Sequence, residues 1–184
     1  MKQTIPLGDR RNETATGFDR ETVRRTAVNE FIHPMIFLRV VSDAVAQGEC
    51  ITVNGTGDSM RPFIQPETDR LTLAPLPETL RTGDICLYVR EGNRPIIHRI
   101  YKKRHSAYDM LGDNQYAVER GVRREQLIAV VSQRLRNGKV YDCLRPTARL
   151  RARLYMAKRR LYAGYLRLVR AAYRSMKKND RTDP

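Results

Sequence analysis

The chain holds 184 residues, 41% of them hydrophobic and 30% charged, with a formal net charge of +15. That length suits one domain with a buried core plus appendages, and the composition is that of a globular protein, not a fibrous or low-complexity one. Three cysteines, Cys50, Cys86 and Cys143, stand far apart with no CxxC pair and no Cys/His cluster. A disulfide framework and a zinc site are therefore not indicated; reduced thiols in a cytosolic protein are expected, with no metal and no cofactor.

Residues 1–18 contain Pro6, Gly8 and Gly17, several charges and no hydrophobic period, the pattern of a disordered segment. No apolar h-region occurs in the first thirty residues, so no signal peptide is expected. The apolar stretch from Phe31 to Val41 is interrupted by His33, Pro34 and Arg39 and falls far short of the ~20 residues a bilayer span needs. Residues 19–48 read as helical. Val23, Ala27, Phe31, Met35, Leu38, Val41 and Val45 recur every three or four positions, and Gly48 is placed to stop the helix. Pro34 interrupts that run, which predicts either two helices or one kinked helix.

From 49 to 144 the pattern changes to short runs rich in β-branched and aromatic residues, separated by Gly, Pro, Asp and Asn. Strands are predicted at 50–53, 70–74, 85–89, 96–103, 107–111, 127–136 and 139–143. Asn137-Gly138 predicts a two-residue hairpin between the last two, because both residues tolerate positive φ. Thr82-Gly83-Asp84 and Gly112-Asp113-Asn114 predict further turns. Residues 145–178 form one long predicted helix opened by Pro146. Leu150, Leu154, Ala157, Leu161, Gly164, Leu168 and Ala171 follow a seam rhythm of four and three, interleaved with tyrosines. Residues 179–184 are a short tail. The whole reads as a mainly β domain with a helical segment on each side.

The charge is concentrated in one element. Between Arg145 and Lys178 stand twelve Lys or Arg residues and no Asp or Glu, which leaves +3 of the +15 for the rest of the chain. The first expectation is a solvated helix whose apolar stripe packs on the β core. The second is a helix lying on an anionic membrane surface. The third, ranked lower because no nucleic-acid motif accompanies it, is nucleic-acid binding. The matching location is the cytoplasm, with peripheral attachment to the inner face of the membrane as the variant the second expectation adds.

Three short blocks carry the chemistry: Gly57-Asp58-Ser59-Met60-Arg61-Pro62, Ile96-Ile97-His98-Arg99-Ile100 and Leu111-Gly112-Asp113-Asn114. A hydroxyl, an imidazole and a carboxylate are the parts of an activated serine nucleophile. In a strand, alternation sets His98 and Ile96 on one face and Ile97 and Arg99 on the other. Partial burial would keep the imidazole unprotonated and basic. Taken singly, each residue has a plainer reading: a turn or cap serine, a core histidine, a turn aspartate.

Together with Leu80-Arg81-Thr82-Gly83-Asp84-Ile85, these blocks resemble, in order and spacing, those of the signal peptidase and SOS-repressor autoprotease superfamily. The resemblance runs from about Asn54 to Val131. It is to the His-base branch, in which histidine replaces the lysine of the bacterial enzymes. It implies a coiled, mostly β fold with Ser59 as nucleophile and His98 as general base. The third member it implies is Glu119, a few residues beyond Gly-Asp-Asn, or else Asp113. Gly57, Asp58 and Met60 would shape the oxyanion and substrate-binding loop, with the Ser59 backbone N–H as one donor. Signal peptidases carry a hydroxyl where Gly57 stands. Lys102 and Lys103 follow His98 too closely for both to face Ser59, so a Ser–Lys dyad is not favoured. The expected function is a serine endopeptidase acting on a peptide or protein precursor. The alternatives are an inactive binding module of the same fold, or a self-cleaving regulator, acting through the basic helix.

Overall fold

The computed structural model describes residues 33–90 and 92–179. The predicted N-terminal disordered segment, the part of the first helical segment before His33 and residues 180–184 lie outside the described residues. Helix α1 spans Pro34–Ala46. Eight strands follow: β1 Ile51–Asn54, β2 Asp69–Ala74, β3 Ile85–Arg90, β4 Arg94–Lys103, β5 Tyr108–Leu111, β6 Glu119–Val122, β7 Leu127–Arg136 and β8 Lys139–Asp142. Helix α2 spans Pro146–Asn179. The protein is therefore mainly β with a helix on each side of the strands.

Pro34 neither divides nor kinks a helix among the described residues; it opens one. Its missing N–H falls where a helix start has no intrahelical partner for that donor. His33 caps the turn, its Nδ1 accepting from the Met35 N–H at 3.4 Å. At the other end Gly48 takes φ +80°. Its N–H donates to the Val45 carbonyl at 3.1 Å and that of Glu49 to the Ala44 carbonyl at 3.0 Å, a paired closure that a left-handed residue permits. The inner face of α1, Leu38 and Val41, is buried.

All strand pairs are antiparallel, in the order β1-β2-β7-β3-β4-β5-β6, with β8 added on β7. The hairpin between β7 and β8 pairs Arg136 with Lys139 across Asn137 and Gly138, both at positive φ, as the sequence predicts. Strands β3 and β7 are covered on both faces. Ile85, Leu87, Ala129 and Val131 enter one apolar cluster beneath α1, whereas Cys86, Tyr88 and Val130 enter a second cluster with Ile100 and Met110. Burial on both faces explains why β3 reads as an unbroken apolar run without alternation. The short strand β6 was not among the predicted strands. Its sequence, Glu-Arg-Gly-Val, buries one residue of four and offers no period-two signal.

The predicted packing of the basic helix needs correction. Its leucine seam does not lie on the β core. The first half of α2 docks instead through Ala152 and Met156, both buried. Tyr155 meets Phe63 edge-on at 5.2 Å. Arg149 binds the fully buried carboxylate of Asp84 and packs its Cβ about where a side chain on Gly83 would stand. These charged and aromatic contacts set the rotation of the helix, so that Leu161 and Leu168 face away while Leu150 and Leu154 border an open groove with Thr82 and Tyr101.

Candidate active site

Ser59 lies in the loop between β1 and β2. The chain reverses at Gly57, whose φ of +75° favours glycine. Met60, 4% exposed, pins the loop into the apolar cluster beneath α1. The Asp58 carboxylate points elsewhere, binding Arg61 at 2.6 Å at the surface. Gly57, Ser59 and Met60 line a cleft of about 470 Å³, whose other walls include Phe37, Ile96 and His98. Asp58 does not line it, which corrects its expected place there: its charge is satisfied by Arg61 on the solvent side.

The four sequence blocks meet through backbone and charge. The Ser59 carbonyl accepts from the Asn114 N–H at 2.7 Å. Gly112 passes so close that a Cβ there would stand 2.7 Å from the same carbonyl oxygen. Arg99, next to His98, grips Asp113 with two bonds of 2.8 and 2.7 Å and donates to the Gly83 carbonyl at 2.7 Å. Both partners of this pair are buried. A planar guanidinium suits such a junction, since its fixed fork matches a carboxylate and leaves a donor for the carbonyl.

This arrangement separates the two candidates for the third member. Asp113 spends both carboxylate oxygens on Arg99 and does not reach His98, a correction to its expected role. Arg99 is buried beside the histidine, so it needs a carboxylate of its own. Glu119 is linked to His98 through one intervening side chain. Strand pairing sets Cys86 opposite His98 and Ile96 opposite Tyr88, so Tyr88 and His98 share a face, as alternation requires. The Tyr88 hydroxyl lies 3.2 Å from His98 Nδ1 and donates to Glu119 Oε2 at 2.5 Å. Arg90 completes the chain by binding both oxygens of Glu119, one at 2.9 Å.

The electrostatics follow from burial. His98 is 4% exposed. Desolvation pulls its pKa down from 6.5 to about 4, with Glu119 opposing and Arg90 assisting. The hydrogen bond from Arg90 holds the Glu119 carboxyl below its usual range, against burial and with help from Tyr88. Burial, followed by the bond to Glu119, pushes the Tyr88 phenol up. At neutral pH the set is therefore a neutral imidazole, a neutral phenol and a carboxylate.

The tautomer of His98 follows. An ionised carboxylate only accepts, so the Tyr88 proton points to Glu119. The phenol oxygen must then accept from His98, which places the imidazole proton on Nδ1 and leaves the Nε2 lone pair free. Among the described residues the Ser59 hydroxyl forms no hydrogen bond to His98. The two groups line one cleft.

Sequence reasoning missed Tyr88, Arg90 and Arg99. A signal existed for Arg99: a charge inside Ile-Ile-His-Arg-Ile demands a buried partner. None existed for Tyr88, which reads as one more apolar residue of β3. Lys102 and Lys103 lie on exposed positions of β4 opposite Asp109 and Tyr108. Among the described residues, no group of three His, Cys, Asp or Glu side chains is placed to hold a metal ion, and no helix is long and apolar enough to cross a membrane. No family model, curated protein or solved structure matches the chain.

Proposed function

We propose that the protein is a serine endopeptidase, with Ser59 as nucleophile and His98 as general base. The observation that carries this reading is the bond chain His98–Tyr88–Glu119, which leaves Nε2 as the basic nitrogen of His98, a residue that lines the same cleft as Ser59. In this mechanism Nε2 takes the Ser59 proton as Oγ attacks the substrate carbonyl. Glu119, acting through the phenol, stabilises the imidazolium that forms. The Nε2 proton then passes to the departing amine, and water repeats the sequence on the acyl-enzyme. The Ser59 N–H is the backbone donor for the developing oxyanion.

The cleft also supports a mode of substrate binding. Strand β4 pairs with β5 only from Arg99 onward, so among the described residues Pro95–Ile97 have one unpaired edge, and these residues line the cleft. Asn54, Gly55 and Thr56, at the end of the edge strand β1, line it too. An extended peptide fits between them as an added strand, its apolar side chains against Phe37, Ile64 and Leu71. The substrate class is accordingly a peptide or protein precursor with an extended apolar segment, met in the cytoplasm.

A second reading, a binding module that keeps the fold without chemistry, draws on the lack of a Ser59–His98 hydrogen bond. One experiment separates the two. The wild-type chain and its Ser59→Ala and His98→Ala variants are incubated with precursors from the same source and the products read by mass spectrometry. Cleavage by wild type alone supports the peptidase. Equal cleavage by Ser59→Ala, or binding without cleavage by all three, contradicts it.

A further inference from the structure

Among the described residues, nothing covers the apolar stripe of helix α2 beyond a shallow groove that Leu150 and Leu154 share with Thr82 and Tyr101. At ~100° per residue, the residues that dock on the β domain, Ala152, Met156 and Arg159, lie on one side. Leu150, Leu154, Leu161, Tyr165 and Leu168 lie on the opposite side. Leu161 is 77% exposed and Leu168 73%, with Leu154 and Tyr165 each at 62%. Cations border the stripe, all of them exposed: Arg151 and Lys158 along one margin, Arg153, Arg160 and Arg167 along the other. Beyond Arg160 no residue up to Ala171 is buried.

Charge selects the occupant. No Asp or Glu stands between Arg145 and Lys178. A second copy seated on the seam would bring Arg and Lys against Arg and Lys, and Gly164 would leave a gap in the interface. An anionic lipid surface meets both halves of the pattern: acyl chains take the leucines and phosphates take the margins. On such a surface the charge of α2 would keep it out of the bilayer core and in the headgroup layer.

We propose that α2 is a membrane-surface helix that docks the protein on anionic bilayers through its outward leucine stripe. This stands apart from the peptidase reading, since it needs neither Ser59 nor His98. It also sets the cleft near the lipid. The same helix holds the Asp113 carbonyl through Arg159, and stacks Arg159 on Tyr116 with 4.4 Å from guanidinium to ring centre. That loop is the one whose Asn114 binds the Ser59 carbonyl.

The test is flotation of the full chain with vesicles of pure phosphatidylcholine and of phosphatidylcholine with phosphatidylglycerol, beside a gel-shift with duplex DNA. The expected result is binding to the anionic vesicles only, weakened roughly fivefold by each of Lys158→Gln and Arg167→Gln. Leu161→Glu with Leu168→Glu should lower it at least tenfold, while circular dichroism and Ser59→Ala binding stay unchanged. Failure to float with anionic vesicles overturns the proposal. So does vesicle binding indifferent to the leucine changes, a dimer that those changes dissociate, or DNA binding tighter than vesicle binding.

Discussion

The Tyr88 hydroxyl sits 3.2 Å from His98 Nδ1 on the neighbouring strand and donates its own proton to Glu119. One phenol thus joins an imidazole to a carboxylate too far away to touch it. In the usual serine triad the carboxylate binds the histidine directly; here Tyr88 stands between Glu119 and His98.

Tyr88→Phe removes the only acceptor for the His98 Nδ1 proton among the described residues. The ring then loses its fixed tautomer, and general-base catalysis of this kind contributes about 10²–10⁴-fold. The expected outcome is a fall in kcat of roughly 10²-fold with KM little changed, and a sharper pH dependence. Glu119 keeps its two bonds to Arg90, so the loss of folding free energy should stay within about 1–3 kcal/mol, the cost of one unsatisfied buried donor. Steady-state kinetics and denaturant titration measure both.

Acid should act on stability and activity in different windows. The folded-state pKa of His98, about 4, lies below its ordinary 6.5. Between those values the unfolded chain binds more protons, so stability falls as pH drops from about 6.5 toward 4. The depressed Glu119 adds a second loss once pH falls through its own folded-state pKa. On the proposed peptidase reading, the acid limb of kcat/KM should nevertheless lie near pH 4, because the folded protein keeps the His98 imidazole neutral until then. A limb near 6.5 would mean that the imidazole is not desolvated. In His98→Gln the stability loss between pH 6.5 and 4 should flatten.

Asp113 is expected to matter for folding more than for proton transfer. Asp113→Ala leaves the buried Arg99 guanidinium without its counter-charge, which costs about 3–5 kcal/mol. Replacing both partners, Arg99→Met with Asp113→Leu, should restore most of that loss. A double variant as unstable as the single one would contradict the structural role given to the pair. Denaturation midpoints at neutral pH decide between them.

Gly112→Ala tests the contact between two sequence blocks. The added methyl meets the Ser59 carbonyl at 2.7 Å, so the serine loop must shift. A displacement of this kind costs on the order of 10²-fold in rate. The expected signature is a large loss of kcat/KM with the apolar core, and hence the heat-capacity change on unfolding, unaltered.

Most strands and both described helices were legible because their signals are local. Asn137-Gly138 fixes its hairpin by turn geometry alone, and Gly48 ends α1 by its φ. Motif order singled out Ser59 and His98, which line one cleft, and left Glu119 and Asp113 open as the third member. Tyr88 was not, because its role exists only once register sets β3 beside β4 and brings in Glu119, 31 residues along the chain. The rotation of α2 was misread for a related reason. A seam of leucines predicts a helix but not which side it buries. That choice was made by Arg149 reaching Asp84 and Arg159 reaching the Asp113 carbonyl, contacts between distant polar groups.

The most direct test of the account is the nitrogen chemical shifts of the His98 ring, followed by nuclear magnetic resonance from pH 8 down to roughly 5, above its depressed pKa of about 4. The account predicts one neutral tautomer throughout, with Nδ1 protonated and Nε2 bare, and loss of that preference in Tyr88→Phe. An imidazole that carries its proton on Nε2, or that titrates at its ordinary pKa, would contradict it.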